Sequence, residues 1–140
     1  MSHVEQIHSA EPDGGDGLIA IIVRRNYPGV EGIKFFTEAS NPQQVAHLFR
    51  KAGAVVDPHT HLERVRTVRK TQEVLLVKHG LVKVNFYTSA GAYVEHKLLH
   101  DGDVCILLGG GHGLEFMEDT MMWEVKQGPY EGKESDKRAI

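Results

Sequence analysis

The chain has 140 residues, a net charge of -3, 41% apolar and 25% charged residues, the balance of one ordinary globular domain with a single core. The mild negative charge leaves no electrostatic footprint for nucleic acid. No apolar run approaches the ~18 residues of a membrane span.

Residues 1–17, "MSHVEQIHSAEPDGGDG", are polar and glycine-rich and are expected to form a loose N-terminal segment. They contain no signal-peptide core, and the lone Cys105 has no internal disulfide partner; both point to the cytoplasm. From 18 to 130 the chain reads as one domain. Short apolar runs alternate with Gly, Asp, Asn and Pro: "LIAIIVRR", "GIKFFTE", "TQEVLLVKHG", "LVKVNFYTSAG", "AYVEHKLLHDGD", "VCILLGGGHG" and "TMMWEVKQGPY". Many β-branched and aromatic residues fill them. The pattern is that of a sandwich or barrel of strands. "NPQQVAHLFRKAG" suits a short helix or a strand; the alternation of Val45, His47 and Phe49 favours the strand. Two strands meet around His79-Gly80, the second with Val82, Val84 and Phe86 on one face and Lys83 and Asn85 on the other. The tail 131–140, "EGKESDKRAI", is charged and expected to be loose.

Nine histidines are many for this length. His59 and His61 stand two apart, so on a strand they project to one side, as a pair of metal ligands must. Imidazole suits zinc, iron, nickel and copper. Two ligands do not make a site, and the plain alternative is a pair of loop histidines. Glu73 opens "EVLLVKHG", and Gly80 follows it after six residues. Farther on, "GDVCILLGGGHG" carries His112 after a glycine turn. "GGGHG" lacks the spacing and following helix of a phosphate loop, so a tight turn delivering His112 is the better reading.

Here the sequence resembles the cupin superfamily. Gly53, His59, His61, Glu73 and Gly80 fall on its first motif, G-x5-H-x-H-x3-4-E-x6-G. Gly102, Gly110 and His112 fall on the second, G-x5-P-x-G-x2-H-x3-N. The chain departs from the pattern in four ways. Eleven residues separate His61 from Glu73, Leu108 stands at the proline position, one residue is missing before His112, and Phe116 replaces the asparagine. The resemblance covers about residues 45 to 126. It implies a double-stranded β-helix, or jelly-roll barrel. It also implies one divalent transition metal (Fe, Zn, Mn or Ni) held by His59, His61, Glu73 and His112. The insertion leaves Gln72 and Glu63 as rivals to Glu73.

Three further groups of residues bear on chemistry. Arg64, Arg66, Arg69 and Lys70 fall in a seven-residue window and are either a solvated face or a clamp for an anionic substrate. In "MMWEVKQGPY", Met122, Glu124 and Lys126 share one face, and Met121, Trp123 and Val125 the other. If the Trp123 face packs outside the barrel, Glu124 and Lys126 look in as acid–base residues. Tyr87, Tyr93 and Tyr130 read first as aromatic core or rim packing, with stacking on a sugar or base of the substrate as the other reading. His79 reads as an exposed turn residue, His96 and His100 as residues of a mouth, and Cys105 as a small core hydrophobe.

Resemblance to small single-domain cupins that accompany polysaccharide or nucleotide-sugar genes implies an enzyme. Its substrate would be small, polar and anionic, such as a nucleotide-linked sugar, and its reaction isomerisation or epimerisation. An iron-dependent dioxygenase and a non-catalytic binding protein are the alternatives. The resemblance also implies a homodimer, paired through "LIAIIVRR".

Overall fold

The structure, a computed structural model, describes residues 2–10 and 17–140. It is all-β apart from one short helix. Two compact units are present: Met1–Tyr27 with Thr71–Ile140, and Pro28–Lys70.

The first unit holds two antiparallel sheets. One has five strands: β1 (Val4–His8), β2 (Leu18–Val23), β8 (Val104–Leu107), β5 (Glu73–His79) and β10 (Met121–Lys126), in that spatial order. The other has three: β7 (Tyr93–His100), β6 (Leu81–Tyr87) and β9 (Gly111–Phe116). The strand alternation read from the sequence explains the core. Val82, Val84 and Phe86 of β6 are at most 1% exposed. They share one apolar cluster with Ile7, Ala20, Ile22, Leu75, Val77, Leu99 and Cys105. Burial pushes the Cys105 thiol up to about 12, so it packs as a hydrophobe and does not ionise.

The β5–β6 reversal depends on Gly80, whose φ is +123°. A Cβ there would lie 2.6 Å from the Asp119 carbonyl oxygen. Gly80→Ala is therefore expected to destabilise the fold by about 1 kcal/mol or more, read as a lower urea midpoint. An unchanged midpoint would contradict this account of the turn.

Several expectations need correction. Val4–His8 belongs to the segment expected to be loose, yet it forms β1 along β2. Only Ile7 anchors it in the core, so its sequence shows little apolar alternation. The remainder of that expectation, over 11–16, lies outside the described residues. β2 has β1 on one edge and β8 on the other. Both edges are thus filled by its own chain, and "LIAIIVRR" has none left to pair across a dimer. Met122 packs on the core. Trp123 and Val125, however, are 66% and 50% exposed rather than packed, because β10 is an edge strand. The tail is not wholly irregular: Lys133–Asp136 forms a helical turn, α1.

The second unit contains the antiparallel pair β3 (Gly32–Phe35) and β4 (Ala46–Phe49), which settles "VAHLF" as strand. Thr37 and Gln44 tie the connection between them by a 3.0 Å side-chain hydrogen bond. Residues 50–72 carry no strand or helix. Among the described residues no helix is long and apolar enough to cross a membrane.

Candidate functional site

Strand register gathers four polar side chains at one end of the first unit. On β5, Leu75 and Val77 point into the core, and Glu73 continues that face. On β10, Glu124 lies opposite Leu75 and Lys126 opposite Glu73, so both share the inward face with Met122. On β9, Leu114 packs against the core, and His112, two residues earlier, continues its face. The turn before β9 contains Gly110 at φ +66°, a conformation that suits glycine.

The result is a charged cluster where the apolar core stops. His112 Nε2 lies 3.3 Å from Glu73 Oε2. Lys126 Nζ lies 3.8 Å from Glu73 Oε1 and 3.0 Å from Asp136 Oδ2. The Lys126 ammonium lies 5.1 Å from the Tyr130 ring centre, within cation–π range. Glu73, His112, Glu124 and Asp136 line a cavity of about 500 Å³ with Thr71, Thr88 and Ser89.

His112 holds the Glu73 carboxyl below the usual carboxylate range, and the Lys126 charge adds to the effect. The hydrogen bond to Asp136 raises the Lys126 ammonium. An ionised Glu73 only accepts, so the shared proton sits on His112 Nε2 and Nδ1 keeps its lone pair in the neutral ring. A depressed native pKa makes this carboxylate stabilise the fold fully above the ordinary Glu range. The contribution is lost as pH falls through the depressed value. Carboxyl NMR should place the Glu73 midpoint below that of an ordinary Glu, and His112→Gln should move it upward. A midpoint at or above the ordinary value would contradict the pairing.

The three rivals for the carboxylate position now separate. Gln72 is 4% exposed. Its side-chain amide donates to the Leu108 carbonyl at 3.1 Å, and its backbone N–H to Gln127 at 2.8 Å. It serves the fold. Glu63 is exposed in the other unit. Glu73 is the one that meets His112.

His59 and His61 belong to the second unit and are exposed. They do not lie on a strand, contrary to the expectation, because residues 50–72 pair with no neighbour in a sheet. Their rings still meet, edge to face, with centroids 5.4 Å apart. His59 Nδ1 lies 2.7 Å from the Asp57 carbonyl oxygen. Arg64, Arg66 and Arg69 are exposed in the same irregular segment.

Glu73 oxygen and His112 nitrogen are donors that iron, zinc, manganese or nickel accept. Among the described residues, however, no group of three or more His, Cys, Asp or Glu is arranged to hold a metal ion. The pair by itself is an incomplete ligand set. No protein-family model, curated protein or solved structure matches the chain.

A second hollow of about 920 Å³ lies elsewhere on the first unit, beside His3, His79, His96 and His100. His96 and His100 both line this hollow. Arg24 dominates it, already paired with Glu5 at 2.6 Å and Asp103 at 2.9 Å. Sequence reasoning missed that network. Arg24 and Asp103 are 79 residues apart, and neither falls in a motif. The larger hollow holds satisfied charges, whereas the smaller one holds a carboxylate–imidazole pair beside further acids and a lysine. The smaller one is the candidate site.

Proposed function

We propose that the protein is an enzyme of the cupin type that moves a proton on a small polar, anionic substrate. A nucleotide-linked sugar is the class, and isomerisation or epimerisation the reaction. The observation that supports this most is the 3.3 Å contact between Glu73 and His112 in a polar cavity. A buried-side carboxylate fixes the tautomer and ring orientation of a histidine, which makes the other ring nitrogen a general base. Lys126 and Glu124 stand beside the pair. Lys126 is suited to stabilise negative charge developing on a carbonyl oxygen, and Glu124 to return a proton. The cupin jelly roll, a cytoplasmic setting and a homodimer belong to the same reading; the paired antiparallel sheets and shared core are consistent with the first of these.

The resemblance adds a metal. Glu73 and His112 would be two ligands and His59 and His61 two more, and a bound metal would supply Lewis acidity. Their mixed oxygen and nitrogen chemistry favours this second reading, while the incomplete grouping among the described residues weighs against it. No catalytic step is therefore assigned to a metal.

Incubation with a panel of nucleotide-linked keto sugars, followed by proton NMR, tests the main reading. Conversion to an isomer or epimer supports it. Binding without conversion across the panel would favour a binding protein. Oxygen uptake by the iron-loaded protein would favour a dioxygenase. Elemental analysis of untagged protein and of His59→Ala and His112→Ala tests the metal. Loss from both variants supports one shared centre; metal-free protein after loading refutes it.

A further inference from the structure

One wall of the Glu73–His112 cavity comes from a segment the sequence marked only as charged. Asp136, Lys137, Arg138 and Ile140 all line it. Three contacts seat the segment. Asp136 pairs with Lys126 at 3.0 Å. Arg138 donates through Nη2 to the Ser89 carbonyl at 3.3 Å. Ile140 lies against two glycines. A Cβ on Gly111 would come within 2.7 Å of Ile140 Cδ1, and one on Gly91 within 3.6 Å of the Ile140 Cβ. Larger residues at 91 and 111 would crowd the place where Ile140 rests.

The acids Glu73 and Glu124 stand on the strands; the segment brings Asp136 and the two cations Lys137 and Arg138. Lys126 is held between Glu73 and Asp136, so its charge is compensated within the site. Arg138 has a fork of five donors, with one engaged by Ser89 through Nη2. A guanidinium anchored by one arm keeps a planar edge for two oxygens of an oxyanion.

We propose that Lys137 and Arg138 bind the oxyanion of the substrate, phosphate or carboxylate, while Glu73 and His112 face its uncharged, hydroxylated part. The proposal rests on the reading of Glu73–His112 as the reacting centre. It assigns anion binding to the unit that carries that pair, and gives Arg64, Arg66 and Arg69 no part in it.

The test is a nitrogen–proton NMR titration of the full chain with inorganic pyrophosphate at fixed ionic strength. Saturable shifts are expected at the Arg138 side chain and at the Gly111 amide. Arg138→Ala should weaken binding by about 10-fold or more, the usual scale for a charge-assisted hydrogen bond. Ile140→Ala, which unseats the segment but keeps its charges, should weaken it to a lesser degree. Arg66→Ala should bind like the unmodified protein. Repeating the titration with succinate separates the two sources of the oxyanion. The tighter binder at Arg138 names the group, and either result supports the clamp. Absence of a saturable shift at Arg138, or undiminished binding in Arg138→Ala, overturns it. The titration needs no turnover. Arg138-dependent binding in a protein that converts nothing would sink the reaction and leave the anion site standing.

Discussion

Replacing Asp103 with alanine is expected to destabilise the fold by about 3–5 kcal/mol, the usual cost of removing one buried partner from an ion-pair network. Asp103 is 2% exposed. It accepts hydrogen bonds from Arg24 Nη1 at 2.9 Å, the Arg25 backbone N–H at 2.9 Å and the His100 backbone N–H at 2.8 Å. Its removal leaves a partly buried guanidinium with one carboxylate partner and two backbone donors with none. Arg24 sits between opposing influences. Burial lowers its guanidinium pKa, and the hydrogen bonds it donates to Glu5 and Asp103 outweigh that effect. Glu5 is a weaker member because its side chain is 25% exposed; solvent screens it, and Glu5→Ala should cost well under half as much. Urea unfolding measures both, with the midpoint shifting at constant slope. A loss below ~1 kcal/mol for Asp103→Ala would mean that the network contributes far less than a buried pair should.

His112→Gln and Glu73→Gln are expected to lower turnover by about 10²–10⁴-fold, the usual worth of a positioned acid–base group. Glutamine at 112 keeps a hydrogen-bonding group of similar reach and removes the titrating nitrogen. Glutamine at 73 keeps the shape and removes the charge that orients the ring. The double variant should be little slower than the worse single one, because two members of one proton-transfer unit are not additive. The effect should fall on kcat more than on KM, since neither residue is assigned to anion binding. Steady-state kinetics on the converted substrate, with thermal melts as a control on folding, gives the answer. A loss under 10-fold in both variants would remove the pair from the chemistry.

Much of the first unit was legible because its strands alternate cleanly. "LVKVNFY" shows its buried face, Val82, Val84 and Phe86, without help. The inward face of β10 was legible for the same reason: Met122, Glu124 and Lys126 are two apart. Glu73 and His112 were singled out by the resemblance of their surroundings to the two cupin motifs. That they touch was not readable, because β5 and β9 lie in different sheets and the packing of one sheet on the other decides it.

Other features had no local signal. β1 is a polar edge strand with one deeply buried anchor, Ile7, so composition hid it. The 131–140 tail has no apolar period; ion pairing at Asp136, a hydrogen bond at Arg138 and the place beside Gly111 for Ile140 hold it. "HTHLERVRTVRK" has the opposite problem. Val65, Arg66, Thr67 and Val68 look like strand residues, yet Val65 is 96% exposed and Leu62 88% exposed. A strand needs partners for its backbone N–H and C=O groups, and none pairs with this segment among the described residues.

The central claim is that Glu73 and His112 transfer a proton. Incorporation of solvent deuterium into a nucleotide-linked keto sugar, followed by mass spectrometry in heavy water, tests it most directly. The unmodified protein should exchange the hydrogen beside the carbonyl, and His112→Gln should exchange it at least ~10²-fold more slowly. Conversion of the sugar at the same rate in both proteins, with the same deuterium content, would contradict the claim.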